Sequence, residues 1–248
     1  MELSPDELAI QKKALAFAKK NRTLICRRLT DTNIYAPEQQ PVSVFMSGSP
    51  GAGKTESSKE LVSALTEDGG HVLRLDPDDL RDEFEDYNGN NSYLFQSAVI
   101  TLVERAMDMI FKNSQSFLLD GTLASFRVAD KNISRSLSRN RMVLVVFVYQ
   151  RPELAWSFVQ AREKAEGRRI LPDHFVDQFF GSQQVIEQLK SKYGNRIQVD
   201  LLVKDNDGHT QSEFIDVSSL QPYLDPAYTL EVVREIVGAS QHREMQND

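Results

Sequence analysis

Residues 42–55 read Val-Ser-Val-Phe-Met-Ser-Gly-Ser-Pro-Gly-Ala-Gly-Lys-Thr. The last eight fit the pattern G-x-x-x-x-G-K-[ST], with an apolar, strand-like run before them and a helical pattern after them. Glycines let successive backbone N–H groups turn toward an anion, the lysine reaches terminal phosphates, and the hydroxyl can bind Mg²⁺. A glycine-rich turn that only caps a helix is the alternative, and it leaves the lysine and threonine unexplained. We predict a phosphate-binding loop for a nucleoside triphosphate, formed by Gly48, Ser49, Pro50, Gly51, Ala52, Gly53, Lys54 and Thr55.

The composition bounds the class of protein. The 248 residues suit one or two domains, and 29 Lys+Arg against 36 Asp+Glu give a net charge of −7. No stretch approaches the roughly 20 apolar residues that cross a bilayer, and the first residues are acidic where a signal peptide is basic. Cys26 is the single cysteine and allows no internal disulfide, so we expect a cytoplasmic protein without membrane contact. The acidic balance argues against general nucleic-acid binding but leaves a local basic groove open.

Strand-like and helix-like segments alternate along the chain, which predicts an α/β fold with a parallel sheet and helices on both faces. An extra helix over about 4–28 and a polar linker precede the first strand. We therefore divide the chain into an N-terminal helix and linker, residues 1–41, and a P-loop NTPase-like domain, residues 42–248. The other strands are predicted at about 72–75, 117–119, 142–148 and 197–203, and the last helix at about 226–237.

Two further strands end in chemically useful residues, in the runs Asp76-Pro77-Asp78-Asp79 and Asp120-Gly121-Thr122. Ligands bind beyond the carboxyl ends of parallel strands, so we expect both runs near the γ-phosphate. A carboxylate there can complete the Mg²⁺ shell or deprotonate a hydroxyl acceptor, and Asp78 and Asp120 are the best candidates. The alternatives are helix capping for the first run and a solvent-facing strand end for Asp120.

Arginines cluster on and after one predicted helix, at Arg162, Arg168 and Arg169, interrupted by Gly167. Such a segment can serve as a kinase lid, near 162–172, because guanidinium groups clamp phosphate oxygens. It can equally be an exposed helix end whose arginines favour the C-terminal dipole. On the predicted helix over 92–112, Glu104 either faces the cleft or lies on the solvent side. The four histidines are scattered and lack partner cysteines, which argues against a zinc site.

Together these motifs resemble the zeta toxin family, bacterial phosphate-loop kinases that phosphorylate UDP-N-acetylglucosamine. The resemblance covers about residues 42–190. It rests on the phosphate loop, on Leu75-Asp-Pro-Asp-Asp-Leu-Arg81, on the helix with Glu104, on Asp120-Gly-Thr122, and on Arg162 followed by Arg169-Ile-Leu-Pro172. One departure is that the family motif at the third strand is Glu-Gly-Thr, where this chain has Asp120.

The resemblance implies roles for individual residues. It makes Asp78 the catalytic base on the sugar 3′-hydroxyl, Lys54 the phosphate anchor, and Arg162 and Arg169 the arginines that clamp ATP, with Arg168 beside them. It assigns Glu104, Asp120 and Thr122 to the acceptor site, where we also place Asp76. ATP and Mg²⁺ are the implied cofactors, and Thr55 and Asp120 are the expected ligands of the metal.

The leading hypothesis is an ATP-dependent kinase for a hydroxyl of UDP-N-acetylglucosamine or a similar nucleotide-sugar, acting as the toxin of a toxin–antitoxin system. A kinase for another acceptor, such as an antibiotic, a dinucleotide or a polynucleotide 5′-hydroxyl, is the first alternative. A regulatory nucleotide-binding switch is the second. The N-terminal helix is expected either to dock an antitoxin protein or to pack on the chain's own sheet.

Overall fold

The computed structural model of the chain describes residues 3–67, 71–167 and 170–244. It is an α/β fold with a mixed, mostly parallel sheet of six strands. The helices are α1 Pro5–Leu29, α2 Lys54–Glu67, α3 Gln96–Lys112, α4 Phe126–Leu137, α5 Pro152–Glu166, α6 Pro172–Tyr193 and α7 Leu230–Glu244. The strands are β1 Val42–Ser47, β2 Leu73–Leu75, β3 Phe117–Leu119, β4 Met142–Tyr149, β5 Gln198–Lys204 and β6 Thr210–Phe214.

The chain divides into two compact units, of which the first comprises residues 1–42 and 61–119. Strands β2 and β3 pair in parallel within it, with Leu73 opposite Phe117. Helix α1 begins in a capping box, in which the Ser4 side chain accepts from the Glu7 backbone N–H and the Glu7 side chain accepts from the Ser4 backbone N–H. It packs along α3, and Ala14, Ala18, Ile25 and Cys26 are buried.

The second unit comprises residues 43–60 and 120–248. Its strands follow the order β1-β4-β5-β6, and β4 pairs with β5 in parallel. Because β4 is apolar and β-branched through Val143, Val145, Val146 and Val148, it is buried on both faces, as the sequence predicts for a central strand. Helices α5 and α6 contact each other where Trp156 of α5 packs edge-on against Phe175 of α6.

The predicted α/β fold with a parallel sheet is confirmed for the paired strands β2–β3 and β4–β5, and the edge strand β6 runs antiparallel to β5. One predicted boundary needs correction. The last helix begins at Leu230 rather than at Pro226, because the Asp225 side chain accepts from the Ala227 backbone at 2.9 Å and holds 225–228 as a turn. No helix among the described residues is long and apolar enough to cross a membrane.

Candidate active site

The phosphate loop of the second unit can be built only with glycine at two positions. Gly48 and Gly51 have φ of 137° and 72°, in the region that side chains rarely adopt. A Cβ at Gly48 would lie 2.3 Å from the carbonyl oxygen of Val148, and one at Gly51 would lie 2.0 Å from that of Ala155. The loop therefore sits directly on the backbone of β4 and of α5, and the glycines permit that approach.

Lys54, near the end of the loop, is also the first residue of α2, and its Nζ donates to the carbonyl oxygen of Ser49 at 2.6 Å. This bond folds the lysine back over the loop, where an anion bound to the backbone N–H groups would meet it. The loop is also tied to the 120–122 segment, because the Gly48 N–H donates to the Thr122 carbonyl at 3.3 Å. The next residue, Leu123, has φ of 50°, an uncommon conformation for a branched side chain.

Asp120 follows β3 and is 6% exposed. Its Oδ2 accepts from the hydroxyl of Ser58 at 2.7 Å, and Ser58 lies one helical turn after Thr55 on α2. Residues three apart share a helix face, so this bond holds the Asp120 carboxylate beside the face that carries the Thr55 hydroxyl. An aspartate reaches α2 in this arrangement without the extra methylene of a glutamate. Sequence reasoning missed Ser58, because a serine inside a helix carries no signal of its own.

Lys204 is a second residue that the sequence did not single out. It ends β5, is 4% exposed, and its Nζ donates to Thr210 Oγ1 at 3.0 Å. Its Cε lies 3.4 Å from the point that a Cβ on Gly53 would occupy, so the side chain packs against the phosphate loop. Lys204 makes no ion pair with a described residue. An ammonium group buried without a carboxylate is costly, and a bound phosphate would offset that cost.

The turn after Lys204 is fixed by side chains from the end of β4. Gln150 Nε2 donates to the carbonyl oxygen of Asp205 at 2.7 Å, and Arg151 Nη2 donates to Asn206 Oδ1 at 2.6 Å. Within the turn, Asp205 Oδ1 accepts from the backbone of Asp207 and of His209. The only sequence signal for Lys204 was its place at the carboxyl end of a strand, which many ordinary residues share.

The Asp76–Asp79 run belongs to the first unit. Asp76 is 8% exposed, its Oδ1 accepts from the Asp78 backbone at 2.8 Å, and its Oδ2 pairs with Arg74 at 2.5 Å. Asp78 begins a short 3-10 helix but its side chain makes no capping hydrogen bond. The Asp78 carboxylate instead pairs with Arg81, which is 9% exposed. Asp76 therefore fixes the backbone of this run, and Arg81 orients the Asp78 carboxylate.

The remaining predicted residues lie on helices or outside the described chain. Glu104 is an exposed residue of α3 in the first unit, and Arg162 is an exposed residue of α5 in the second. Helix α5 ends at Gly167, whose φ of 72° and N–H bond to the Glu163 carbonyl form a left-handed cap. Arg168 and Arg169 lie outside the described residues.

The second unit fits a nucleoside triphosphate with Mg²⁺. The backbone cradle that a Cβ would fill, with Lys54 folded over it, suits a polyphosphate. The Thr55 hydroxyl and the Asp120 carboxylate are hard oxygen donors of the kind that Mg²⁺ prefers. A cavity of about 610 Å³ in this unit, between α6 and the 221–228 segment, includes none of these residues in its lining.

Comparison with known proteins gives a family and a fold. The model of the Zeta toxin family matches residues 26–213. No protein with a curated functional description matches the sequence significantly. The PezAT chromosomal toxin–antitoxin system of the human pathogen Streptococcus pneumoniae is similar in structure, with a TM-score of 0.57 and 18% identity over 95% of this chain and 88% of that chain.

Two structures of the AvrRxo1-ORF1 complex with AvrRxo1-ORF2 are also similar. The complex with sulphate ions has a TM-score of 0.56 and 15% identity, over 95% of this chain and 85% of that chain. The complex with ATP has a TM-score of 0.54 and 16% identity, over 84% of this chain and 65% of that chain. At these identities the likeness concerns the fold alone.

Proposed function

The chain is a member of the Zeta toxin family, and on that basis we propose that it is an ATP-dependent kinase whose acceptor is a hydroxyl of UDP-N-acetylglucosamine or a similar nucleotide-sugar. We propose that it acts in the cytoplasm as the toxin of a toxin–antitoxin system. The observation that carries the kinase proposal is the phosphate loop of the second unit, with Lys54 folded over it and Asp120 held to α2 by Ser58.

In this proposal the loop and Lys54 bind the β- and γ-phosphates, and Thr55 and Asp120 hold Mg²⁺. The metal, when bound, neutralises charge on the phosphate oxygens. The bond from Ser58 supports a metal role for Asp120, because it positions the carboxylate by the helix that begins with the loop's lysine and threonine. Lys204 adds a buried positive charge against the same loop.

Asp78 is proposed as the base that accepts the proton of the acceptor hydroxyl. Its orientation by Arg81 and the absence of a capping bond support this role over helix capping. Asp76 is then proposed as a positioning residue that holds the Asp78 backbone, in addition to its place at the acceptor site predicted from the sequence. Glu104, Asp120 and Thr122 stay assigned to the acceptor site.

We also propose the domain division at residue 42, with a lid near 162–172 that carries Arg162, Arg168 and Arg169. The left-handed cap at Gly167 supports the lid, because it ends α5 five residues before α6 begins at Pro172. Arginines on such a segment would clamp phosphate oxygens of bound ATP. An antitoxin protein that contacts the N-terminal helix is the proposed partner, and the likeness to a toxin–antitoxin system supports it.

The test is mass spectrometry of purified protein with Mg·ATP and UDP-N-acetylglucosamine. We expect the nucleotide-sugar to gain one phosphoryl group, and we expect no gain with Lys54→Ala. Asp78→Asn should abolish transfer and leave ATP binding intact. Asp79→Asn is the matched control, because Asp79 is the adjacent carboxylate with a 70% exposed side chain paired to Arg74.

The outcomes separate the parts of the proposal. Full transfer by Asp78→Asn would show that another group is the base. Transfer to a different compound in a metabolite extract would keep the kinase and replace the acceptor. Slow ATP hydrolysis that no metabolite changes would instead favour a regulatory switch.

A further inference from the structure

Helix α1 carries a charge opposite to that of the whole chain. It has seven basic and two acidic residues, a net charge of +5, whereas the chain carries −7. Lys13 pairs with Asp86, and Arg28 pairs with Glu83, both within the first unit. Five further cations make no ion pair with any described residue: Lys12, Lys19, Lys20, Arg22 and Arg27.

Four of these five cations share one exposed face. Spacings of i, i+4, i+7, i+8, i+11 and i+15 place residues on one side of a helix. We call the side formed by Lys12, Ala16, Lys19, Lys20, Thr23 and Arg27 the basic face of α1. Leu24 borders it and is 72% exposed. The opposite side of the helix, with Ala14 and Ala18, is the buried one.

A cavity of about 390 Å³ lies at the C-terminal end of this face and is also lined by α3. Its charged lining consists of three cations, Arg27, Arg105 and Lys112, against the two carboxylates of Asp31 and Asp108. We call it the Arg105 pocket. Arg105 and Lys112 make no ion pair with a described residue.

Arg105 gives the independent sign that this pocket takes a ligand. Its Nε is buried and has no hydrogen-bond acceptor among the residues that the structure describes. A buried N–H of a charged group without an acceptor is costly, and a carboxylate bound in the pocket that Arg105 lines would offset that cost. The pocket thus offers one place for an acidic side chain, and the basic face offers a row of cations that leads to it.

We propose that the basic face of α1 and the Arg105 pocket dock an acidic helical segment of a partner protein, with one carboxylate of that segment bound by Arg105. This inference rests on the toxin–antitoxin proposal and gives the chemistry of the partner. Charge complementarity is the argument: an acidic helix with carboxylates at i, i+7, i+8 and i+15 matches the spacing of Lys12, Lys19, Lys20 and Arg27.

Other polyanionic surfaces fit this face less well. The rest of the chain carries −12, so a nucleic acid that extends beyond α1 would meet net repulsion. A helix that binds a membrane surface needs a broad apolar face, whereas the centre of this exposed face holds Lys12, Lys19 and Lys20. The apolar contact on offer, mainly Leu24 at the border, matches a single side chain of a docked helix.

The test uses the full chain and a fluorescein-labelled helical peptide of about 20 residues, long enough to form a helix. The peptide carries glutamates at the four matching positions, and a second peptide carries glutamines there. Fluorescence anisotropy measures binding by the protein and by three variants, Arg105→Gln, Arg105→Lys and Arg22→Gln. Arg22 is the matched control, because it is an unpaired cation of α1 that points away from the basic face.

We expect the glutamate peptide to bind and the glutamine peptide to bind at least about tenfold more weakly. Arg105→Gln should weaken binding of the glutamate peptide by at least about tenfold, and Arg105→Lys should recover part of the loss. Arg22→Gln should change it less than about twofold. Thermal unfolding of each variant checks that it is folded, and Lys112→Gln replaces Arg105→Gln if the latter fails to fold.

Several results would overturn the proposal: no binding of the glutamate peptide, equal binding to wild type and Arg105→Gln, or tighter binding to phosphatidylserine vesicles or duplex DNA. The kinase proposal is separable, since Lys54→Ala should bind the peptide as wild type does. If the wild-type protein transfers phosphate but does not bind the glutamate peptide, the docking surface is rejected and the kinase proposal stands.

Discussion

Replacing Gly51 by alanine should damage the phosphate loop more than the same change at another glycine of positive φ. The φ of 72° costs a residue with a Cβ about 1–2 kcal/mol. The new Cβ would also lie 2.0 Å from the Ala155 carbonyl oxygen, a backbone atom that cannot rotate away. Overpacking of this kind adds about 1–3 kcal/mol, so we expect a total of roughly 2–5 kcal/mol.

Gly208 and Gly238 provide the matched controls, because a Cβ at either position would meet nothing within 4 Å. At Gly208 the φ is 84°, so Gly208→Ala has only the cost of a positive φ, and its free energy of unfolding should fall by about 1–2 kcal/mol. Gly238 lies within α7, so Gly238→Ala should raise the free energy of unfolding by about 0.5–1 kcal/mol. Subtracting the Gly208 effect from the Gly51 effect isolates the contact with α5.

Differential scanning calorimetry with and without Mg·ATP measures both consequences. At about 2–4 °C per kcal/mol for a chain of this size, Gly51→Ala should melt roughly 4–20 °C below wild type and Gly208→Ala about 2–8 °C below it. ATP should raise the melting temperature of Gly208→Ala as it does for wild type, and should raise that of Gly51→Ala much less. Equal melting temperatures and equal ATP shifts for Gly51→Ala and Gly208→Ala would refute the steric argument.

Three further predictions concern buried polar groups. Lys204→Met should weaken ATP binding about tenfold, or about 1.4 kcal/mol, without lowering thermal stability. Lys190→Met removes a buried lysine that is paired with Asp216, so it should lower thermal stability and leave ATP binding unchanged. Calorimetric titration measures ATP binding by both variants, and thermal melting measures their stability. Ser58→Ala should cost about 1–3 kcal/mol and raise the Mg²⁺ concentration needed for half-maximal transfer, and an unchanged Mg²⁺ titration would argue against the metal role. Burial raises the pKa of the Cys26 thiol to about 11, so the group stays protonated and native protein should not react with Ellman's reagent at about pH 8, whereas urea-unfolded protein should react fully.

The sequence predicted those parts of the fold that local patterns determine. Strand β4 was visible because Met142 to Val148 is apolar and β-branched, and α5 ends at the predicted Gly167. The antiparallel edge was missed because β6, Thr210–Phe214, is polar and mostly exposed, without the apolar run that marks a buried strand. The late start of α7 depends on an Asx turn at Asp225, which competes with Pro226 as a helix start.

The candidate site likewise contains residues that local sequence patterns identify and residues that only the tertiary structure brings together. The phosphate loop is contiguous, so Lys54 could be found from its neighbours in sequence. Lys204 lies 150 residues further along the chain and reaches the loop only because β5 ends beside it. Its Cε lies 3.4 Å from the point that a Cβ on Gly53 would occupy. Nothing in the spacing of residues 198–204 distinguishes this lysine from a solvent-exposed one.

Burial supplies the missing criterion, and the chain offers a comparison. Lys190 and Lys204 are both buried lysines of the second unit, 8% and 4% exposed. Lys190 has a carboxylate, Asp216, at 3.0 Å and therefore has a structural explanation. Lys204 has a threonine hydroxyl, which cannot neutralise an ammonium group. A fold keeps such a charge when a ligand supplies the counter-charge, so the uncompensated lysine beside the loop is itself an argument that the loop binds phosphate.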